Sequence, residues 1–152
     1  MSTQTIPTPT ETTRTLVVER LFPHPPEKLW RALTESPLLA QWMMKNDFEP
    51  TVGRRFQFRA DPMPNWNGIV DCEVLEVVQE SKLVYSWGGG SAKDEGNKME
   101  TTVTWTLEPA VNGGTQLKLA HYGFHADDFA FKVMGQGWRT KGEAIDRAAA
   151  AS

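Results

Sequence analysis

Cysteine is almost missing from this chain of 152 residues: Cys72 stands alone, so no internal disulfide braces the fold. Long apolar runs are missing too, which leaves no candidate membrane span. The opening MSTQTIPTPTETT has neither the basic start nor the apolar stretch of a signal peptide. Positive charge is not in excess. A formal net charge of -3 and a pI near 5.6 give no general attraction to phosphate backbones or anionic lipid, and no convincing basic stripe compensates. These absences predict a cytoplasmic protein that binds no nucleic acid. No His-Glu-x-x-His or paired-thiolate pattern is present, so no metal is expected, and no glycine fingerprint for a cofactor is found.

Aromatic residues are what the chain has in quantity. Six tryptophans and seven phenylalanines are many large rings for one core to absorb, and the length suits a single domain. Residues 1–13 are rich in Thr and Pro and poor in apolar side chains, which predicts a disordered tail ahead of one domain over 14–150. RTLVVERLF is rich in strand formers, and PHPPEKLWRALTESP reads as a turn and a short helix, with Pro26 in its first turn and Leu29, Trp30 and Leu33 at helical spacing. Pro37 separates it from a second short helix through LLAQWM.

Five or six antiparallel strands are then predicted. RRFQFRA alternates Phe56 and Phe58 with Arg55, Gln57 and Arg59; IVDCEVLEVV and KLVYSW follow. In METTVTWTLEP, Val103, Trp105 and Leu107 alternate with Thr102, Thr104 and Thr106. TQLKLAHYGF places Leu117, Leu119 and His121 on one face. A terminal helix is expected after Asp127 and Asp128, its apolar stripe traced by Phe129, Val133, Met134, Trp138, Ile145 and Ala149. Gly135, Gly137 and Gly142 predict a kink or two pieces. A sheet with one apolar face needs a cover, and this helix is the only element long enough, so His121 faces the space between them.

The element order, with VVERLFPHPPEKLWRALTESPLLAQWM, VLEVVQESKLVYSW and GGTQLKLAHYGF followed by GQGW, resembles the bacterial family related to the C-terminal domain of the activator of the heat-shock protein 90 ATPase. That family lies within the START-like, birch-pollen-allergen-like (SRPBCC) superfamily. The resemblance covers about Arg14 to Ile145. It implies an α+β helix-grip fold, a curved antiparallel sheet wrapped around a long C-terminal helix with two short helices after the first strand. It also implies a cavity that in relatives binds lipids, hormones or polyketides or supports cyclisation or hydrolysis. Where relatives continue with a leucine-rich helix, this chain has the polar, alanine-rich RTKGEAIDRAAAAS.

The rings then have two readings, filled core or cavity wall. Trp42, Phe56, Phe58, Trp87, Trp105, Phe124 and Trp138 are the wall candidates, with Met63, Trp66 and Met134 at the rim. His121 is either a satisfied buried imidazole, with Tyr85 as a partner, or the polar fixture that orients a ligand or acts as a base. A metal set of His121, His125, Asp127 and Asp128 matches no ligand spacing. Glu49, Glu73 and Glu76 are expected to face water, and Cys72 to be a small buried side chain. The loops DPMPNWNG and WGGGSAKDEGNK could gate the cavity. The leading expectation is binding of a small hydrophobic or amphipathic molecule. A cyclase or hydrolase using the same cavity is the alternative. A chaperone-interacting module follows from the resemblance only, and a monomer or homodimer fits either. The outer-face residues, mostly Thr, Lys, Arg and Gln, suggest no apolar docking patch.

Overall fold

The computed structural model describes residues 13–61, 68–89, 99–125, 138 and 140–151. Its elements in chain order are β1 (Thr13–Phe22), α1 (Pro26–Thr34), α2 (Ser36–Trp42) and β2 (Lys45–Asn46). Then come β3 (Arg55–Arg59), β4 (Ile69–Val78), β5 (Lys82–Gly89), β6 (Met99–Pro109), β7 (Thr115–His125) and α3 (Gly142–Ala151). The seven strands form one antiparallel sheet in the order β1-β7-β6-β5-β4-β3-β2. A meander thus runs from β2 to β7, and the first strand returns beside the last. This is the helix-grip architecture.

Period-two patterning decides which side of the sheet is dry. Val103, Trp105 and Leu107 of β6 are buried, as are Leu117, Leu119 and His121 of β7, and Phe56 and Phe58 of β3. In β4 the alternation runs through Val70, Cys72 and Val74 and then shifts phase at a bulge between Val74 and Glu76, so that Glu76 is exposed and Val77 packs against the core. The β6–β7 connection is tight: a Cβ on Gly114 would lie 2.6 Å from the Phe22 carbonyl oxygen at the end of β1.

On the dry side, α1 begins at Pro26 with Pro25 as its cap and buries Leu29, Trp30 and Leu33. The segment α2 buries Leu39 and Trp42, and the Trp42 indole N–H donates to the Ala32 carbonyl at 2.8 Å, fixing the two short helices on each other. The terminal helix α3 packs against both. His24, just before α1, makes a 2.5 Å contact with the Asp146 carboxylate of α3.

One element went beyond the sequence reading. The two-residue β2 has no periodicity to detect; Asn46 pins it, accepting from Ser36 Oγ at 2.8 Å and donating to the Met44 carbonyl at 2.9 Å. A 3-10 turn at Val111–Gly113 carries Asn112 in the left-handed region, a conformation Asn tolerates. Of the tail expected over residues 1–13, Thr13 opens β1 and residues 1–12 lie outside the described residues, as do 62–67 and 90–98 of the two expected gating loops, DPMPNWNG and WGGGSAKDEGNK. Asp127, Asp128, Phe129, Val133, Met134, Gly135 and Gly137 of the expected terminal helix also lie outside the described residues. Trp138, Ile145 and Ala149 of that stripe are buried.

Candidate functional site

The register of β7 against β6 sets His121 beside Val103 and leaves it fully buried. Both ring nitrogens have partners. The Trp138 indole N–H donates to Nδ1 at 2.9 Å, and Nε2 lies 2.7 Å from Thr101 Oγ1. An indole only donates, so Nδ1 must carry the lone pair and Nε2 the proton. The chain of donors follows: His121 Nε2–H to Thr101 Oγ1, whose own proton goes to the Trp87 carbonyl at 2.8 Å. Burial pushes the imidazole pKa down to about 3. A protonated His121 would leave two donors facing each other at Nδ1 and a buried cation. The ring is therefore a neutral strut, unsuited to act as a base near pH 7.

Tyr85 is not the partner the sequence suggested. Its hydroxyl accepts from the Trp105 indole N–H at 3.0 Å, and burial raises its pKa. It belongs to a second group of rings. Phe56 meets Tyr85 and Phe58 edge-on at 5.4 Å each, and Phe58 lies 5.4 Å from Trp87. Phe48 completes this group, 4.9 Å from Phe56; the segment KNDFEP has no pattern that announces it. Trp138 joins the two groups, edge-on to Trp87 at 5.4 Å and to Trp105 at 5.5 Å, while Trp42 meets Trp105 at 5.7 Å. Edge-to-face geometry of this kind adds about 0.5–1.5 kcal/mol per pair beyond burial.

Empty space lies elsewhere, at the β1–β7–β6 end of the sheet. A cavity of about 430 Å³ is bounded there, among the described residues, by Val17, Val18, Glu19, Arg20, Phe22, Trp105, Leu117, Leu119, Trp138, Gly142 and Ile145. It sits between the inner face of the sheet and α3. Of the wall and rim candidates read from the sequence, Trp105 and Trp138 border it. Trp42, Phe56, Phe58, Tyr85, Trp87 and His121 lie in the ring-packed region. Phe124 belongs to β7, opposite Arg14, and Met63, Trp66 and Met134 lie outside the described residues.

The sequence reading missed the β1 contribution. Leu16, Val18, Arg20 and Phe22 share one face of that strand, and an arginine inside an otherwise apolar face was the readable signal. It also called the outer face polar. Val17, Leu21 and Tyr122 are exposed, but Glu19, paired across to Lys118, interrupts them.

Other reactive residue types have ordinary surroundings. Cys72 is buried, and burial with the Asp71 carboxylate raises its thiol pKa. Glu73 and Glu76 pair with Arg55 at 3.9 Å and Lys82 at 3.4 Å, and Glu49 is exposed. Arg54 reaches Asp47, and Arg59 bonds to Gln57. Among the described residues no three His, Cys, Asp or Glu side chains converge as a metal site would require; Asp127 and Asp128 lie outside them.

Comparison with known proteins agrees with this architecture. The family model described as Activator of Hsp90 ATPase homolog 1-like protein matches residues 23–150. The crystal structure of MLL2253 from Mesorhizobium loti is 41% identical over 91% of this chain and 98% of its own, with a TM-score of 0.81. The Aha1 dimer from Colwellia psychrerythraea, solved in solution, is 20% identical over 90% of this chain and 96% of its own, with a TM-score of 0.72. DynU16, a protein of the dynemicin biosynthetic locus, is 20% identical over 88% of this chain and 46% of its own, with a TM-score of 0.68. The last two show a shared fold. No curated protein matches the sequence.

Proposed function

The chain belongs to the Activator of Hsp90 ATPase homolog 1-like family, and from that premise we propose that it binds a small hydrophobic or amphipathic molecule between the sheet and α3. The observation that carries this reading is the cavity of about 430 Å³ walled by Val18, Phe22, Trp105, Leu117, Leu119 and Ile145. Ligand pockets span roughly 300–1,000 Å³ and are lined mainly by apolar and aromatic side chains with a few polar fixtures. The occurrence of the same fold in a protein of a biosynthetic locus supports a small-molecule setting. Burial of a ligand's apolar surface would supply the affinity, at about 25 cal/mol per Å² before the costs of association.

Binding is preferred over catalysis because of His121. Among the described residues, the fully buried imidazole of His121 has its tautomer set by Trp138 and Thr101 and its charged form suppressed by burial. It has no proton to take up near neutrality. No nucleophile with a base and an orienting group adjoins the cavity among the described residues.

Titration with dansylundecanoic acid, which brightens in apolar surroundings, tests the proposal. Saturable binding at one site is expected. In Val18→Trp the added indole fills the cavity from β1, and affinity should fall by about tenfold or more, while the melting temperature changes by only a few degrees. Absence of saturable binding to this probe, and to a panel of phenols and aromatic polyketides, would end the ligand-binding reading.

A further inference from the structure

We propose that the cavity selects amphipathic anions, with Arg20 holding a carboxylate or phosphate head at the mouth while the tail lies against the Trp105–Leu117–Leu119 wall. This rests on the binding reading above and adds the ligand's charge to it.

Arg20 occupies a position that the β1 pattern assigns to an apolar side chain. It shares a face with Leu16 and Phe22, both buried, yet it is itself exposed. Its guanidinium does not simply leave for solvent. The Cζ atom lies 5.4 Å from the centre of the Phe22 ring, on the cavity side of the strand. Gly142, at the start of α3, makes room for it: a Cβ there would fall 2.0 Å from Arg20 Nη1 and 2.8 Å from Cζ. Strand and helix thus hold the group across the rim from two sides.

The protein supplies no counter-charge at this point. Among the described residues no carboxylate lies within ion-pair distance of Arg20, and the five ion pairs found there involve other residues. Glu19 borders the same cavity, but its carboxylate accepts from Gln116 at 3.4 Å, alongside Lys118, on the outer face. Glu143, in the first turn of α3, is exposed and does not border the cavity. A guanidinium presents a fork of donors that matches carboxylate and phosphate oxygens. An anionic head would therefore complete a mouth that the chain leaves one-signed.

The test compares dansylundecanoic acid with its methyl ester, which keeps the tail and removes the charge. The native protein should bind the acid about tenfold more tightly, the value of one charge-assisted hydrogen-bonded pair at a partly exposed site. Arg20→Gln should erase that preference and leave ester affinity within about twofold. Gly142→Ala keeps the charge but pushes the guanidinium off the rim, and should also erase the preference; it gives an answer if the first variant folds poorly. Competition by dodecanoate and by dodecyl phosphate then distinguishes the two head chemistries. Equal binding of acid and ester by the native protein overturns the inference and leaves the binding proposal standing. A preference for the acid that survives both variants likewise removes Arg20 from the role. Failure of both probes to bind overturns the two together.

Discussion

The inner face of the sheet has two ends that use the same alphabet to opposite effect. Around β3, β4 and β5 the rings of Phe48, Phe56, Phe58 and Tyr85 meet edge to face, Trp87 packs tilted on Phe58, and ring against ring fills that side among the described residues. Around β1, β6 and β7 the strand side chains are Val18, Phe22, Trp105, Leu117 and Leu119, with Trp138 beside them, and α3 contributes Gly142 and Ile145. Of the buried residues of α3, Ile145 alone is large; the others are Gly142, Ala148 and Ala149. Small residues on the covering helix cannot reach down to the strand face, so space remains there among the described residues. Among the described residues, the hollow end thus goes with small side chains on α3.

Trp138 belongs to both ends, and its removal should produce the largest effect. Trp138→Ala deletes ring contacts to Trp87 and Trp105 and leaves His121 Nδ1 without its donor. A loss of about 4 kcal/mol or more is expected in urea unfolding, from the cavity plus an unpaired buried acceptor. The hollow end should then merge with the packed one. If stability falls by less than about 1 kcal/mol, the indole is not the link between them.

A matched pair of truncations measures the contrast directly. Leu83, on β5, is fully buried in the core, whereas Leu117, on β7, faces the cavity. Leu→Ala costs about 2.7–5.0 kcal/mol depending on the space left behind, and a leucine already beside a void has fewer contacts to lose. Leu83→Ala should cost about 4 kcal/mol and Leu117→Ala about 2 kcal/mol. Equal costs would mean that the two ends are packed alike.

How much of this was legible beforehand depended on what each residue pattern could encode. Strand faces were, because Val103, Trp105 and Leu107 alternate with threonines, and β6 buries the first set. The short helices were, because Pro26 and Pro37 mark their starts. The alanine-rich end of the sequence corresponds to the small buried residues of α3, Ala148 and Ala149. Which ring touches which was not legible, since partners such as Trp138 and His121 meet through the register of β7 and the approach of the last segment, neither of which leaves a local signature. Phe48 failed for a related reason: it joins the rings from an irregular segment positioned by Asn46 and Asp47.

The smallest expected effect concerns pH and isolates the packed end. His121 has a folded pKa of about 3, below its ordinary value of 6.5, because burial penalises the imidazolium. The unfolded chain therefore binds a proton below pH 6.5 that the folded chain refuses, so stability is full above that value and declines as pH falls toward 3. Between pH 7 and 5 the loss from this one group is about 2 kcal/mol. Urea midpoints at the two pH values should show it in the native protein, and His121→Gln should flatten that part of the slope even if its absolute stability is lower. The other two histidines serve as the internal control, for their contributions stay in both proteins. A slope unchanged by the substitution would mean that solvent reaches His121, and with it the distinction between a solid end and a hollow one would fail at its centre.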